Sequence, residues 1–244
     1  MEDQRFARTE MLLGDAGLTR LAASSVAVFG VGGVGSFTAE ALARAGVGRL
    51  TLIDHDTIDV TNINRQIHAL TETVGKAKTT VMAERIRAIN PHCQVREIRA
   101  FYLPEEADSF FETHYDYAVD AVDTVTAKVD LAVQCQVRNI PLIASMGAAN
   151  KLDPTLFEVM DIYCTKGDPL ARILRKKLKE RGVRRLTVVC SRERPKRPAA
   201  GICAPAPGRH LAPGSVSFVP PVAGMIMAGV VVRVLTGAAV EVSS

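Results

Sequence analysis

Residues 26–78 place the tightest constraint on what this chain can become. A short apolar run, Val26-Ala27-Val28-Phe29, ends in Gly30-Val31-Gly32-Gly33-Val34-Gly35. Phe37, Ala41, Leu42 and Ala45 then recur at helical spacing, and Gly46 stands where a C-terminal cap belongs. A second apolar run, Leu50-Thr51-Leu52-Ile53, ends in Asp54. Strand, glycine turn, helix, strand and acid in this order predict a Rossmann-like, doubly wound α/β fold. Its sheet is mainly parallel with helices on both faces, and a nucleotide sits at the C-terminal ends of the strands.

Each part has a physical task. Gly30, Gly32, Gly33 and Gly35 let the backbone turn tightly and approach a phosphate, and N–H groups at the helix N-terminus point at that anion. Asp54 can accept hydrogen bonds from ribose hydroxyls. The next residues change the chemistry. Thr61-Asn62-Ile63-Asn64-Arg65-Gln66 and Gly75-Lys76-Ala77-Lys78 bring cations just after the acid. Arg65 can grip phosphate oxygens in two-pronged fashion, and Lys78 adds a compact charge. A hydride transfer breaks no phosphate bond and needs neither. The pattern points to a triphosphate that loses pyrophosphate, and an NAD(P) oxidoreductase would leave both cations unexplained.

These residues resemble the ubiquitin-activating-enzyme-like (ThiF/HesA/MoeB-type) adenylating superfamily. Gly30 to Gly35, Asp54, Asn62-x-Asn64-Arg65-Gln66, Lys78 and Asp120-Ala-Val-Asp123 stand in that superfamily's order, and Arg5-Phe6-Ala7-Arg8 matches its N-terminal motif. The stretches Asn150-Lys151-Leu152-Asp153-Pro154-Thr155 and GDPLARILRKKLKERG resemble the branch of tRNA threonylcarbamoyladenosine dehydratases. The resemblance implies ATP and Mg²⁺ as cofactors, with Asn62, Asn64, Arg65, Gln66 and Lys78 at the nucleotide. It implies a homodimer in which Arg8 reaches the partner subunit's ATP site. Adenylation of a threonyl carboxylate in tRNA is the implied reaction, with a sulfur-transfer protein as a further partner. The alternative is activation of a ubiquitin-like sulfur carrier's C-terminus. The five cysteines include no Cys-x-x-Cys pair, so the four-thiolate zinc site often found in sulfur-carrier activators is missing. A non-catalytic nucleotide-binding scaffold is the remaining reading.

Length and composition suit one domain spanning residues 1–244. Residues 1–21 read as an N-terminal helical arm, which is either a solvated helix or the carrier of Arg8. The N-terminus has no apolar core, so the expected compartment is the cytoplasm without membrane association. Val222 to Val232 is too short to span a bilayer and reads as part of a buried C-terminal helix, Val222 to Leu235.

The spacing predicts a helix over residues 75–90 with Lys76 and Lys78 in its first turn, a strand over Gln94 to Arg99, and a helix over Pro104 to Thr113. Tyr117 to Asp123 reads as a buried strand ending at the nucleotide crevice. Asp123 is a candidate Mg²⁺ ligand or a helix N-cap, and Asp120 is structural. His55 and His68 read as isolated histidines, and Asp56 either solvates its loop or assists Mg²⁺.

Charge is uneven. Residues 166–197 hold thirteen Lys or Arg against three acids, a net of +10, leaving −6 for the rest of a chain whose formal charge is +4. Asp168-Pro169 opens a helix with Leu170, Ile173, Leu174 and Leu178 as its buried stripe. Arg172, Arg175, Lys176, Lys177, Lys179, Arg181, Arg184 and Arg185 are the candidate nucleic-acid contacts, through phosphate and shape since no aromatics interleave. Plain solubility is the competing reading. Cys190 is either a reactive thiol or a small strand residue. Proline-rich residues 192–213 read as a mobile loop.

Overall fold

The computed structural model describes residues 4–196 and 213–238. Seven strands form one sheet: β1 (Ser25–Phe29), β2 (Arg49–Ile53), β3 (Gln94–Ile98), β4 (Tyr117–Asp120), β5 (Leu142–Ser145), β6 (Phe157–Asp161) and β7 (Thr187–Ser191). Their order is β3-β2-β1-β4-β5-β7-β6, parallel except for β6, which runs antiparallel to β7. The expected doubly wound sheet is therefore present, with one antiparallel edge strand. Every residue of β1 and β4 is buried, as expected of central parallel strands covered on both faces.

The order reverses around β1, with β2 and β3 on one side and β4 and β5 on the other. That reversal opens a crevice beyond the carboxyl ends of β1 and β4. Helix α2 (Gly35–Ala45) leaves the crevice directly after the glycine turn and is capped by Gly46 at φ 97°. It is buried beyond a simple stripe: Ser36, Thr38, Ala39, Glu40, Leu42 and Ala43 are all covered. The last long helix, α7 (Val219–Thr236), packs on its outer side. Gly224 makes this close approach possible, since a Cβ there would lie 2.3 Å from the Val34 carbonyl oxygen. Thr38 Oγ1 donates to the Gly224 carbonyl at 3.1 Å. Glu40 is buried with its carboxylate held by Arg44 at 2.8 Å and Arg85 at 2.6 Å.

Several expected boundaries shift. Helix α3 is Lys78–Ile89 with Ala77 as N-cap. Lys76 is therefore outside the helix, where its carbonyl accepts from the Ile58 N–H at 2.8 Å. The predicted helix at Pro104 to Thr113 is a 3-10 turn followed by the short α4 (Ala107–Phe110). Strand β4 stops at Asp120, so Asp123 lies in the loop that follows. Helix α5 (Val125–Val137) is capped by Thr124 without a side-chain bond, which removes the capping role considered for Asp123. Helix α7 begins three residues early because Pro220 and Pro221 sit in its first turn, where a missing N–H costs nothing. It is long and apolar enough to cross a membrane, yet more than half of that stretch is buried in the protein.

The N-terminal arm is a 3-10 turn, Gln4–Phe6, running into α1 (Ala7–Ala23), which bends at Gly14 with φ 68°. Met11 and Leu12 beside the bend are 83% and 87% exposed.

Candidate active site

A cavity of about 400 Å³ occupies the crevice, a volume within the usual range for small-molecule sites. Gly30, Gly32, Gly33, Asp54, Asn62, Arg65, Gln66, Lys78 and Asp123 all line it. Residues from four separate stretches of sequence therefore meet at the sheet's reversal point. Gly35 and Asn64, also expected at the nucleotide, do not line it.

The glycine turn is set by contact. Gly30 has φ 85°, and a Cβ on it would lie 2.7 Å from the Ala121 carbonyl oxygen. A Cβ on Gly35 would sit 1.8 Å from the Gly30 carbonyl oxygen. Gly35 thus shapes the turn. A Cβ on Gly32 would meet nothing, so this glycine faces open space. Among the described residues, the N–H groups of Gly32 and Gly33 have no acceptor. Two unsatisfied donors beside a helix N-terminus form an anion site.

Asp54 is fixed by its own neighbourhood. Its Oδ2 accepts from the Val31 N–H at 2.7 Å and its Oδ1 from the Asp56 N–H at 2.9 Å. Lys78 is buried and its Nζ lies 2.7 Å from Asp56 Oδ2. Arg65 donates to the Thr61 carbonyl and to Asn64 Oδ1, both at 2.9 Å. Asn64 Nδ2 also donates to the Ser215 carbonyl at 3.0 Å. Its role is to tie Arg65 to the wall formed by Pro213 and Ser215. Asn62 Oδ1 accepts from the Asp59 N–H and closes the small turn that carries Arg65.

Two groups could hold a cation. Asp123 is exposed into the cavity and, among the described residues, accepts no hydrogen bond. A free carboxylate of this kind fits Mg²⁺, which takes one or two protein oxygens and completes its shell with water and phosphate. Asp54, His55 and Asp56 bring their ligand atoms within 4.8 Å of one another, a grouping that sequence spacing did not suggest for His55. Two backbone amides already occupy Asp54, and Asp56 is paired with Lys78 and His55. Asp123 is the better ligand.

Asp120 is structural, as expected. It is fully buried, with Lys128 Nζ 3.0 Å from Oδ1, and burial pushes its carboxyl above the usual range despite that lysine. Lys128 also donates to the Ser145 carbonyl at 2.8 Å and so locks β4 to β5. The aromatic wall of Phe101 and Tyr102 was not singled out from sequence. The signal was their position directly beyond β3, at a strand's carboxyl end.

The ThiF family profile matches residues 6–244. The chain belongs to the ThiF family. This ThiF-family chain is 47% identical over 236 residues to the tRNA threonylcarbamoyladenosine dehydratase of Bacillus subtilis (strain 168), covering 93% of each. It is 48% identical over 176 residues to the protein of the same name from Escherichia coli (strain K12), covering 72% of this chain and 66% of that one. Among solved structures it resembles the E. coli tRNA N6-threonylcarbamoyladenosine dehydratase, TcdA, in complex with ATP. The TM-score is 0.87 at 38% identity, over 96% of this chain and 94% of that one.

The basic segment of this ThiF-family chain forms helix α6 (Pro169–Glu180), capped by Asp168, whose Oδ1 accepts from the Ala171 N–H at 2.9 Å. Its buried face is Ala171, Leu174 and Leu178; Ile173 is 43% exposed, contrary to expectation. Arg172, Lys176, Lys177 and Lys179 are exposed. Arg175 turns inward and donates to the Thr165 carbonyl at 2.9 Å, so it serves the fold. Arg181 lies 3.8 Å from Asp130, and Arg185 lies 4.0 Å from Asp161. Arg184 and Arg185 line a second cleft with Tyr117, Leu142 and Thr187, which begin β4, β5 and β7 or lie beside their starts. They are thus at the opposite end of the sheet from the nucleotide cavity.

Arg8 is exposed and outside the cavity lining. Cys190 is buried inside β7, where burial pushes its thiol up to about 11, which fits the small strand residue. In the expected mobile loop, Arg192 pairs with Glu158 at 2.7 Å, and Glu193 accepts from the Leu152 and Asp153 N–H groups. Residues 192–196 are therefore anchored, and 197–212 lie outside the described residues.

Proposed function

We propose that this chain catalyses the ATP-dependent dehydration, by cyclisation, of threonylcarbamoyladenosine in tRNA. The convergence of the glycine turn, Asp54, Arg65, Lys78 and Asp123 on one cavity supports the adenylation step. The observation that carries the tRNA substrate is the 47% identity, over 93% of each chain, to a tRNA threonylcarbamoyladenosine dehydratase. In the proposed geometry the triphosphate lies against the Gly32 and Gly33 amides and the ribose lies by Asp54. The threonyl carboxylate attacks the α-phosphorus, and the bond to the β-phosphate bridging oxygen breaks. Arg65 and Lys78 take up the charge of departing pyrophosphate electrostatically. AMP is then displaced from the acyl carbon by an internal nitrogen, which loses its proton and closes a five-membered ring. Water leaves in net terms because ATP becomes AMP and pyrophosphate.

Mg²⁺ on Asp123 would supply charge neutralisation at the phosphates. Lys78 must exchange part of its pairing with Asp56 for phosphate oxygens, and the half-exposed Asp56 can turn to water when it does. The dimer with Arg8 in trans, a sulfur-transfer partner, a single domain and a cytoplasmic location complete the proposal. Kinked α1 supports the dimer, since it presents Arg8 together with exposed Met11 and Leu12.

The test is incubation of the protein with ATP, Mg²⁺ and tRNA carrying threonylcarbamoyladenosine, followed by mass analysis of the nucleosides. The cyclic nucleoside is expected with wild type and formed far more slowly with Lys78→Ala. A ubiquitin-like carrier consuming ATP in place of tRNA would favour the sulfur-carrier reading instead.

A further inference from the structure

The two stretches that resemble the dehydratase branch, residues 150–155 and 167–182, are separated by residues 156–166 and are joined in the interior. Lys151 and Asp168 form an ion pair, Nζ to Oδ2 at 3.1 Å, with side chains 0% and 1% exposed. Lys151 Nζ also donates to the Gly147 carbonyl. The other oxygen of Asp168 caps α6 through the Ala171 N–H. One carboxylate therefore holds the start of the basic helix and, through Lys151, the loop after β5.

That loop borders the nucleotide. Ala148 and Ala149 line the cavity. The next residue, Asn150, is left-handed at φ 58° and makes three bonds to the remaining wall. Its N–H donates to the Gly214 carbonyl at 2.8 Å, its Oδ1 accepts from the Gly214 N–H at 2.7 Å, and its carbonyl accepts from the Lys196 N–H at 2.7 Å. Gly147 lies close against this pair, since a Cβ on it would lie 3.1 Å from Asp168 Oδ2.

A buried ion pair is a poor way to gain stability, since desolvating both charges offsets their attraction, and apolar replacements of similar volume often match it. What such a pair provides is a fixed geometry. We infer that Lys151 and Asp168 are positioning residues for the tRNA reaction. They hold the phosphate-binding face of α6 at a set distance and angle from the nucleotide cavity, so that tRNA docked on α6 delivers its carboxylate to the α-phosphorus. Neither residue lines the nucleotide cavity. This inference rests on the dehydratase reading above, and it assigns to that reaction a pair outside the nucleotide site.

The experiment compares wild type with Lys151→Met/Asp168→Asn. The double variant carries no buried charge and keeps a good N-cap, because asparagine caps helices as well as aspartate. Its melting temperature and its ATP affinity, by calorimetry without tRNA, are expected near wild type. Its tRNA affinity should also change less than threefold, since the cations of α6 remain. The kcat for cyclisation should fall at least tenfold, because small misplacements of reacting groups are costly. Lys151→Met alone, which strands a buried carboxylate, should lose melting temperature as well. Full kcat in a double variant that melts like wild type would overturn the inference and leave the dehydratase reading intact. Absence of cyclisation by wild type itself would overturn both. If the double variant melts early, Asp168→Asn alone is measured at a temperature where it is folded: a kcat loss with unchanged ATP affinity supports the inference, and a full kcat defeats it.

Discussion

The two halves of the sheet are built on different principles. Around β1, β2 and β4, backbone does much of the work: amides, a left-handed glycine and close carbonyl contacts fix the glycine turn and Asp54. Around β5, β7 and β6, charge is carried by long side chains on one exposed helix, with the geometry supplied underneath by a buried pair. The first half is suited to holding a transition state, the second to attracting a polyanion. The difference teaches that single residues matter greatly in the first region and only collectively on the surface of the second.

The largest expected effect lies at the cations of the cavity. Arg65→Ala or Lys78→Ala should each lower kcat by about 10²–10³, the scale seen when a fixed electrostatic donor to a transition state is removed. Steady-state cyclisation with saturating tRNA checks this. If a single exposed α6 lysine produced a loss of that size, the contrast between the halves would break.

Next come two effects on stability. Gly35→Ala drives a Cβ into the Gly30 carbonyl, and the cost should be about 3 kcal/mol or more, read by denaturant unfolding. His68 gives a pH effect of similar size. It is buried beside Lys78 and Arg85, and desolvation lowers its pKa to about 4. The folded protein then refuses a proton that the unfolded chain accepts below about 6.5. Stability should be intact above pH 6.5 and fall as pH drops from 6.5 to 4, by about 3 kcal/mol in total. His68→Gln should flatten that slope, and an unchanged slope would show that other groups set it.

The smallest effects belong to α6. Lys176→Ala should weaken tRNA binding less than tenfold and reduce the salt dependence of log K by roughly 0.7–0.9. Arg175→Ala should instead cost stability with little change in salt dependence, since its guanidinium bonds Thr165. Salt titrations of binding separate the two.

The same contrast decides what could be read from sequence. Glycine, acid and cation spacing encode a backbone path, so β1, α2, β2 and the cavity residues Asp54, Arg65, Lys78 and Asp123 were legible. Charge on α6 was legible as composition only. Nothing in the spacing says that Arg175 turns inward, or that Arg184 and Arg185 lie at the far end of the sheet. Ile173 is apolar enough to bury, but the buried face is Ala171, Leu174 and Leu178 at i, i+3 and i+7, and Ile173 lies off it. Spacing also places Gly35 and Asn64 at the nucleotide, and only the structure shows that Gly35 packs on the Gly30 carbonyl and that Asn64 bonds Ser215. Pairings such as Lys151 with Asp168 depend on the tertiary approach of the loop after β5 to the start of α6 and leave no local periodicity.

The central claim is that this cavity cleaves ATP between the α- and β-phosphates in step with ring closure. Quantifying nucleotide products by chromatography, alongside the cyclic nucleoside from the same reaction, tests it most directly. One AMP and one pyrophosphate per nucleoside cyclised is the predicted result. ADP with inorganic phosphate, or cyclisation with ATP unconsumed, would contradict it.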